Sequence, residues 1–149
     1  VGNEEKDQID QVSRLNKQTG KVTVSIWGTG TPLREFMYSQ DMAEACVFLM
    51  EHVEIKDIIA LNSTEHKNDF QPPHFLNIGT GEEVTIKDLA GKIKSLTGFS
   101  GNVVFDSSRP DGTMRKATDT TALKGLGYRH KISLDKGIRR TYEEYLRYR

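Results

Sequence analysis

Two glycine loops, a scatter of cations and a single tryptophan are the residues of this chain whose types and spacing could do chemistry. Gly28-Thr29-Gly30 and Gly79-Thr80-Gly81 each follow a predicted strand, a place where main-chain N–H groups can cradle a phosphate. A dinucleotide-binding loop also needs a third glycine where helix meets strand, and a helix N-terminus aimed at the pyrophosphate. Leu33 holds that place in the first loop, Pro32 interrupts it, and the next segment reads as a strand. Val84 holds it in the second. Neither loop is a dinucleotide fingerprint, although both could still lend N–H groups to a ligand.

Arg34 offers a guanidinium, which presents fixed, charge-assisted donors to phosphate. Taken by its neighbours alone it is a surface arginine paired with Glu35 or Asp41. Trp27 ends a predicted strand, where tryptophan is commonly a core residue. Asp111 sits in Pro110-Asp111-Gly112-Thr113, a good turn sequence, with Arg115 and Lys116 adding charge on the same loop. Cys46 falls on an apolar helical stripe and reads as a buried packing residue. His52, His66, His74 and His130 lack metal-ligand spacing and read as non-catalytic.

Short elements must position these groups. Residues 1–20 are polar and mixed in charge, and are expected to be a lead-in, with the ordered domain spanning residues 21–149. Val22, Val24 and Ile26 alternate with Thr23 and Ser25, a half-buried strand. Glu35 to Tyr38 reads as a second strand. Ser39 then opens a helix carrying Met42, Ala45, Cys46, Leu49, Met50 and Val53 at helical spacing. Residues 54–73 read as irregular, and His74 to Ile78 as a strand. Thr85 caps a helix with Ile86, Leu89, Ala90, Ile93 and Leu96 on one face and Gly98 as its stop. Val103 to Phe105 reads as a buried strand, Asp119 to Leu123 as a short helix, and a last helix starts at Ser133. This order predicts a small mixed α/β domain and no complete doubly wound sheet.

Composition excludes several classes. With 149 residues there is room for one core. Lys+Arg and Asp+Glu both number 21; that balance gives no general attraction to nucleic acid or to a membrane surface. No apolar run is long enough to span a bilayer. One cysteine forms no internal disulfide. The first residue, Val1, is followed by no signal-peptide pattern, so a cytoplasmic protein is expected, in a chain that starts partway through a longer one.

Four blocks carry a family resemblance: Trp27-Gly28-Thr29-Gly30-Thr31-Pro32-Leu33-Arg34-Glu35-Phe36 with Asp41; Asn77-Ile78-Gly79-Thr80-Gly81; Val104 through Lys116; and Leu126-Gly127-Tyr128 with Ile132-Ser133-Leu134. Arg-Glu-Phe with a downstream Asp is shared by many extended short-chain dehydrogenases/reductases. Joined to Pro-Asp-Gly-Thr-x-Arg-Lys, the Trp-Gly-x-Gly-Thr-Pro-x-Arg block resembles the C-terminal part of the GDP-L-fucose synthase family. That family converts GDP-4-keto-6-deoxy-D-mannose to GDP-L-fucose by 3,5-epimerisation and NADPH reduction at C4.

The resemblance implies a small substrate-binding domain without its N-terminal Rossmann domain. It makes Trp27, Arg34, Asp111 and Lys116 substrate-binding residues, with Arg34 and Lys116 on the pyrophosphate. It implies no catalytic residue in this stretch, because no tyrosine here is followed by lysine four residues on. It further implies GDP-sugar as ligand, NADPH for the full-length enzyme but not for this part, and a homodimer for the whole. A related nucleotide-sugar epimerase or reductase, or a stand-alone nucleotide-binding module, would share several of these features.

Overall fold

A computed structural model of the chain describes residues 13–63 and 75–148. These fall into two compact units. One takes in the residues up to Arg34 together with Val84–Lys116; the other takes in Glu35–Glu83 together with Ala117–Arg149.

The first unit is built on a three-stranded sheet of β1 (Ser13–Leu15), β2 (Val22–Trp27) and β5 (Asn102–Asp106), in the order β1-β2-β5. The alternating β2 pattern predicted a strand, and β2 is the central one. It runs antiparallel to β1 and parallel to β5, with Ser25 opposite Val104 and Trp27 opposite Asp106. The expected lead-in therefore ends earlier than composition suggested. Residues 13–20 supply the outer strand and a turn in which the Asn16 side chain accepts from Gln18 N and Thr19 N at 2.9 and 3.1 Å. Residues 1–12 lie outside the described residues.

Helix α3 (Ile86–Thr97) starts and stops where the sequence placed it; α1 (Ser39–His52) and α2 (Ile55–Ser63), which precede it, belong to the second unit. Thr85 Oγ1 accepts from Asp88 N at 3.0 Å, and Gly98 closes the last turn in the left-handed conformation. The strand expected at Glu35–Tyr38 is instead β3, Leu33–Glu35. Its place is fixed by a hydrogen-bonding partner rather than by its own pattern: Leu33 N donates to Met114 O at 2.8 Å, in parallel with β6 (Arg115–Lys116). With β4 (Glu83–Thr85) these form a second sheet, in the order β4-β3-β6.

The second unit is helical: α1 (Ser39–His52), α2 (Ile55–Ser63), α4 (Thr121–Gly125) and α5 (Leu134–Arg147). Its core is Ala45, Leu123 and Tyr128, with Met37, Phe48, Leu49, Leu76 and Ile78 packed around them. Helix α2 falls in a stretch expected to be irregular. Its start is held by Asp57, which accepts from Glu54 N at 2.9 Å, the reach-back half of a capping box. Residues 75–78 carry no strand pairing, although Leu76 and Ile78 do turn inward. His66 and His74 lie outside the described residues.

Helix α1 also sits rotated from its predicted setting. Its buried residues are Asp41 and Ala45, while Cys46, expected in the core, is exposed, as are Met42 and Met50. Asp41 draws the helix round. Its carboxylate accepts from Lys131 N at 3.1 Å and Ile132 N at 2.9 Å, and its main-chain oxygen accepts from Tyr128 Oη at 2.6 Å. A buried carboxylate so bonded outweighs the burial of three sulfur-bearing side chains.

Glu35 does similar work at the second glycine loop. Its carboxylate accepts from Thr80 N, from Gly81 N at 2.8 Å and from Thr118 N at 3.0 Å. A Cβ at Gly79 would strike that carboxylate, so glycine is required there by close approach. Burial alone would push the Glu35 carboxyl up; the N–H groups of Gly81, Thr118 and Thr80 and the Thr80 hydroxyl together hold it below the usual range. A depressed folded-state pKa contributes stability above the unfolded value that is lost as pH falls through the folded one. Acidification into and below the carboxylate range is therefore expected to destabilise the chain, and Glu35→Gln to flatten that part of the pH profile. Urea midpoints measured from pH 6 to pH 3 check this.

Candidate functional site

The expected site residues all belong to the first unit. Trp27 closes β2, with the Gly28–Pro32 loop leading from it into β3 and Arg34. Asp111 and Lys116 come from the segment between β5 and the end of β6.

The glycine loop is bound internally. Asp111 takes Thr29 N at 2.8 Å on Oδ1 and the Thr29 hydroxyl at 2.7 Å on Oδ2. Thr29 Oγ1 lies 2.7 Å from Thr31 Oγ1. Gly28 has φ +82°, and a Cβ there would collide with the Asp111 carboxylate. Only glycine satisfies both conditions. Gly28→Ala is expected to cost about 2 kcal/mol of stability and to free the Thr29–Asp111 link, measurable as a lowered urea midpoint with a shifted Trp27 emission.

The helix N-terminus that follows this loop is also closed to a phosphate. Gly30 O accepts from Lys87 N at 2.9 Å and Pro32 O from Ile86 N at 3.1 Å, so loop carbonyls and Thr85 satisfy the first N–H groups of α3. Glu35 occupies the N–H groups of the second loop. In both loops, internal carboxylates stand where an anion could have bound. Asp111 is thus seen holding the loop beside Trp27.

The cations are arranged differently. Arg34 on β3 is the register partner of Lys116 on β6, and partners on adjacent parallel strands project from the same sheet face. Arg34 Nη1 donates to Leu33 O at 2.6 Å and Thr113 O at 2.7 Å, which fixes the guanidinium. The ion pair open to Arg34 on sequence grounds is not formed: Glu35 and Asp41 are each engaged by main-chain N–H groups. Among the described residues neither Arg34 nor Lys116 is in an ion pair. Adjacent like charges on neighbouring strands repel, so an anion between them would be stabilising.

Trp27 is 62% exposed, which sets aside the core reading. Its indole lies under a cation the sequence did not single out: Arg109 Cζ is 5.2 Å from the ring centroid. Only the spacing Trp27–Asp106 across two strands, followed by Arg109, carried that signal, and a single sequence gives no register. Among the described residues no group of three or more His, Cys, Asp or Glu is placed to hold a metal, and no helix is long and apolar enough to cross a membrane.

An exposed indole, two unpaired cations in register and a carboxylate-braced glycine loop suit a phosphorylated, ring-bearing ligand. Residues 3–62 match the family profile described as the NAD dependent epimerase/dehydratase family. GDP-L-fucose synthase 1 of Arabidopsis thaliana is 41% identical over 131 residues, 88% of this chain. The chain is similar to the NAD dependent epimerase/dehydratase family over residues 3–62 and to GDP-L-fucose synthases over most of its length. It spans about a third of the curated relatives it matches, 35% in the Arabidopsis case.

Among solved structures, a GDP-6-OMe-4-keto-L-xylo-heptose reductase from C. jejuni matches with TM-score 0.78 and 36% identity, covering 98% of this chain and 38% of that one. A GDP-L-fucose synthetase from Naegleria fowleri bound to NADP matches with TM-score 0.60 and 25% identity, covering 84% and 35%. The fold is thus the small mixed α/β part of an extended short-chain dehydrogenase/reductase, as the four sequence blocks predicted.

Proposed function

We propose that this chain is the GDP-sugar-holding part of a GDP-L-fucose synthase, an enzyme that converts GDP-4-keto-6-deoxy-D-mannose to GDP-L-fucose by 3,5-epimerisation and NADPH-dependent reduction at C4. The observation that carries the reading is the in-register pair Arg34 and Lys116 on one sheet face, neither of them in an ion pair among the described residues. Two cations so placed match the two phosphates of a nucleoside diphosphate, Arg34 as a fork and Lys116 as a point charge. Trp27 packs against the nucleotide or sugar. Asp111 acts through the Thr29 loop that it holds.

Binding the remote GDP moiety supplies energy that orients the keto-sugar for proton and hydride transfer by groups outside this stretch. NADPH, on this reading, is held by the complete enzyme and not by these 149 residues. The whole enzyme is a cytoplasmic homodimer with no nucleic acid or membrane partner.

A second reading, a 4-keto reductase acting on another GDP-linked sugar, is favoured by the similarity to the C. jejuni heptose reductase. Both readings share the GDP site and part at the sugar.

The pure chain is expected to oxidise no NADPH with GDP-4-keto-6-deoxy-D-mannose, since it holds no Tyr-x-x-x-Lys. The open reading frame around it is expected to encode that motif and a Gly-rich strand–helix loop upstream, and its product to turn over the same substrate. Turnover by the 149-residue chain itself, or a reading frame without that upstream coding, would overturn the proposal.

A further inference from the structure

The open face of the β1-β2-β5 sheet carries a groove of about 580 Å3, walled by Thr23, Ser25, Val104, Trp27, Asp106 and Arg109. Trp27 stands at the end of β2 where the strand gives way to the glycine loop. With most of its surface exposed, the indole would be free to swing unless something held it. Arg109 is the group against it.

Several bonds bring Arg109 there. Asp106, opposite Trp27 in the parallel register, ends β5. Its main-chain oxygen accepts from both Gly28 N at 2.9 Å and Arg109 N at 3.1 Å, tying the exit of β2 to the turn that carries Arg109. Its side chain closes that turn by accepting from Ser108 N at 3.0 Å. Pro110 follows and restricts the Arg109 backbone. The guanidinium then lies over the indole with Nε 4.0 Å from Asp106 Oδ2, so one carboxylate both builds the turn and faces the charge. A planar cation over an indole face is held by the ring's quadrupole.

We propose that Arg109 is a positioning residue of the ligand site: it clamps one face of Trp27 and leaves the other face as the wall against which the nucleotide-sugar packs. The proposal rests on the GDP-sugar reading for what meets that wall, but not for the clamp. Arg109 makes no claim on the phosphates, which Arg34 and Lys116 hold.

Trp27 is the only tryptophan, so its fluorescence reports on the clamp directly. In the ligand-free chain a guanidinium over the ring attracts iodide and repels caesium. Arg109→Gln is expected to lower iodide quenching and raise caesium quenching of Trp27, with Arg109→Lys close to the parent chain. GDP binding is expected to weaken by about two- to fivefold in Arg109→Gln and to recover in Arg109→Lys.

Quenching by both ions unchanged in Arg109→Gln would overturn the clamp. So would tighter GDP binding in that variant, which would mean that Arg109 covers the ring rather than setting it. If quenching changes as expected while even the parent chain ignores GDP, the clamp stands and the GDP reading falls. A lowered urea midpoint in Arg109→Gln with unchanged quenching would mark the residue as merely structural and also overturn the proposal.

Discussion

Asp41→Ala is expected to lower the unfolding free energy by about 3–5 kcal/mol. The side chain is 1% exposed and accepts from two main-chain N–H groups, those of Lys131 and Ile132. Alanine leaves both donors without an acceptor where water has little access, and each charge-assisted bond of this kind contributes about 1.5–3 kcal/mol. The segment so released leads into α5 and carries Ile132, a core residue. Asp41→Asn should fall between, since one oxygen is kept and an NH2 group is turned toward an N–H. Urea unfolding followed by circular dichroism checks the order parent, Asn, Ala; equal midpoints for all three would contradict the assignment.

The second large effect belongs to the cation pair. Arg34→Ala is expected to weaken GDP binding by about ten- to a hundredfold, as loss of one charge-assisted, forked contact predicts. Lys116→Ala should cost about tenfold, a point charge being the simpler loss. The double variant should cost less than the product of the two, because the residues are register partners sharing one ligand. Arg34 also holds Leu33 O and Thr113 O, so part of its effect could come through the strand. Arg34→Lys separates the two contributions: it keeps the charge, loses the fork and should restore only part of the affinity. Calorimetry on each variant, alongside its urea midpoint, decides between lost binding and lost structure.

The way these residues came to light differs from case to case. The β2 strand and the α3 helix could be read from local pattern, because Val22, Val24 and Ile26 alternate and Thr85 and Gly98 are end signals that act within a few residues. Arg34 and Lys116 were reached through the family resemblance; the residues alone favoured an ion pair with Glu35 or Asp41. What sequence could not give was where those two carboxylates go, since their partners lie 45 to 91 positions away. The same long-range bonds explain the misjudged helix. A periodicity count treats Asp41 as polar and turns it outward; Lys131 and Ile132 N–H groups turn it inward, and Cys46 is carried to the surface. The Arg109–Trp27 contact has the same origin in the β2–β5 register. Helix α2 was missed for a local reason: Asp57 caps it by reaching back to Glu54, a weaker signal than Ser or Thr at the cap.

On the proposed reading, the sheet face carrying Arg34 and Lys116, together with the exposed Trp27, holds the diphosphate and nucleotide of a GDP-sugar. Amide-resolved NMR titration of the 149-residue chain tests it most directly, because weak binding still moves resonances. GDP is expected to shift the amides of Leu33 to Glu35, those of Arg115 and Lys116 and the Trp27 indole N–H, with UDP and dTDP at equal concentration shifting them less. Shifts confined to other surfaces, or a response to UDP equal to or larger than that to GDP, would contradict the claim.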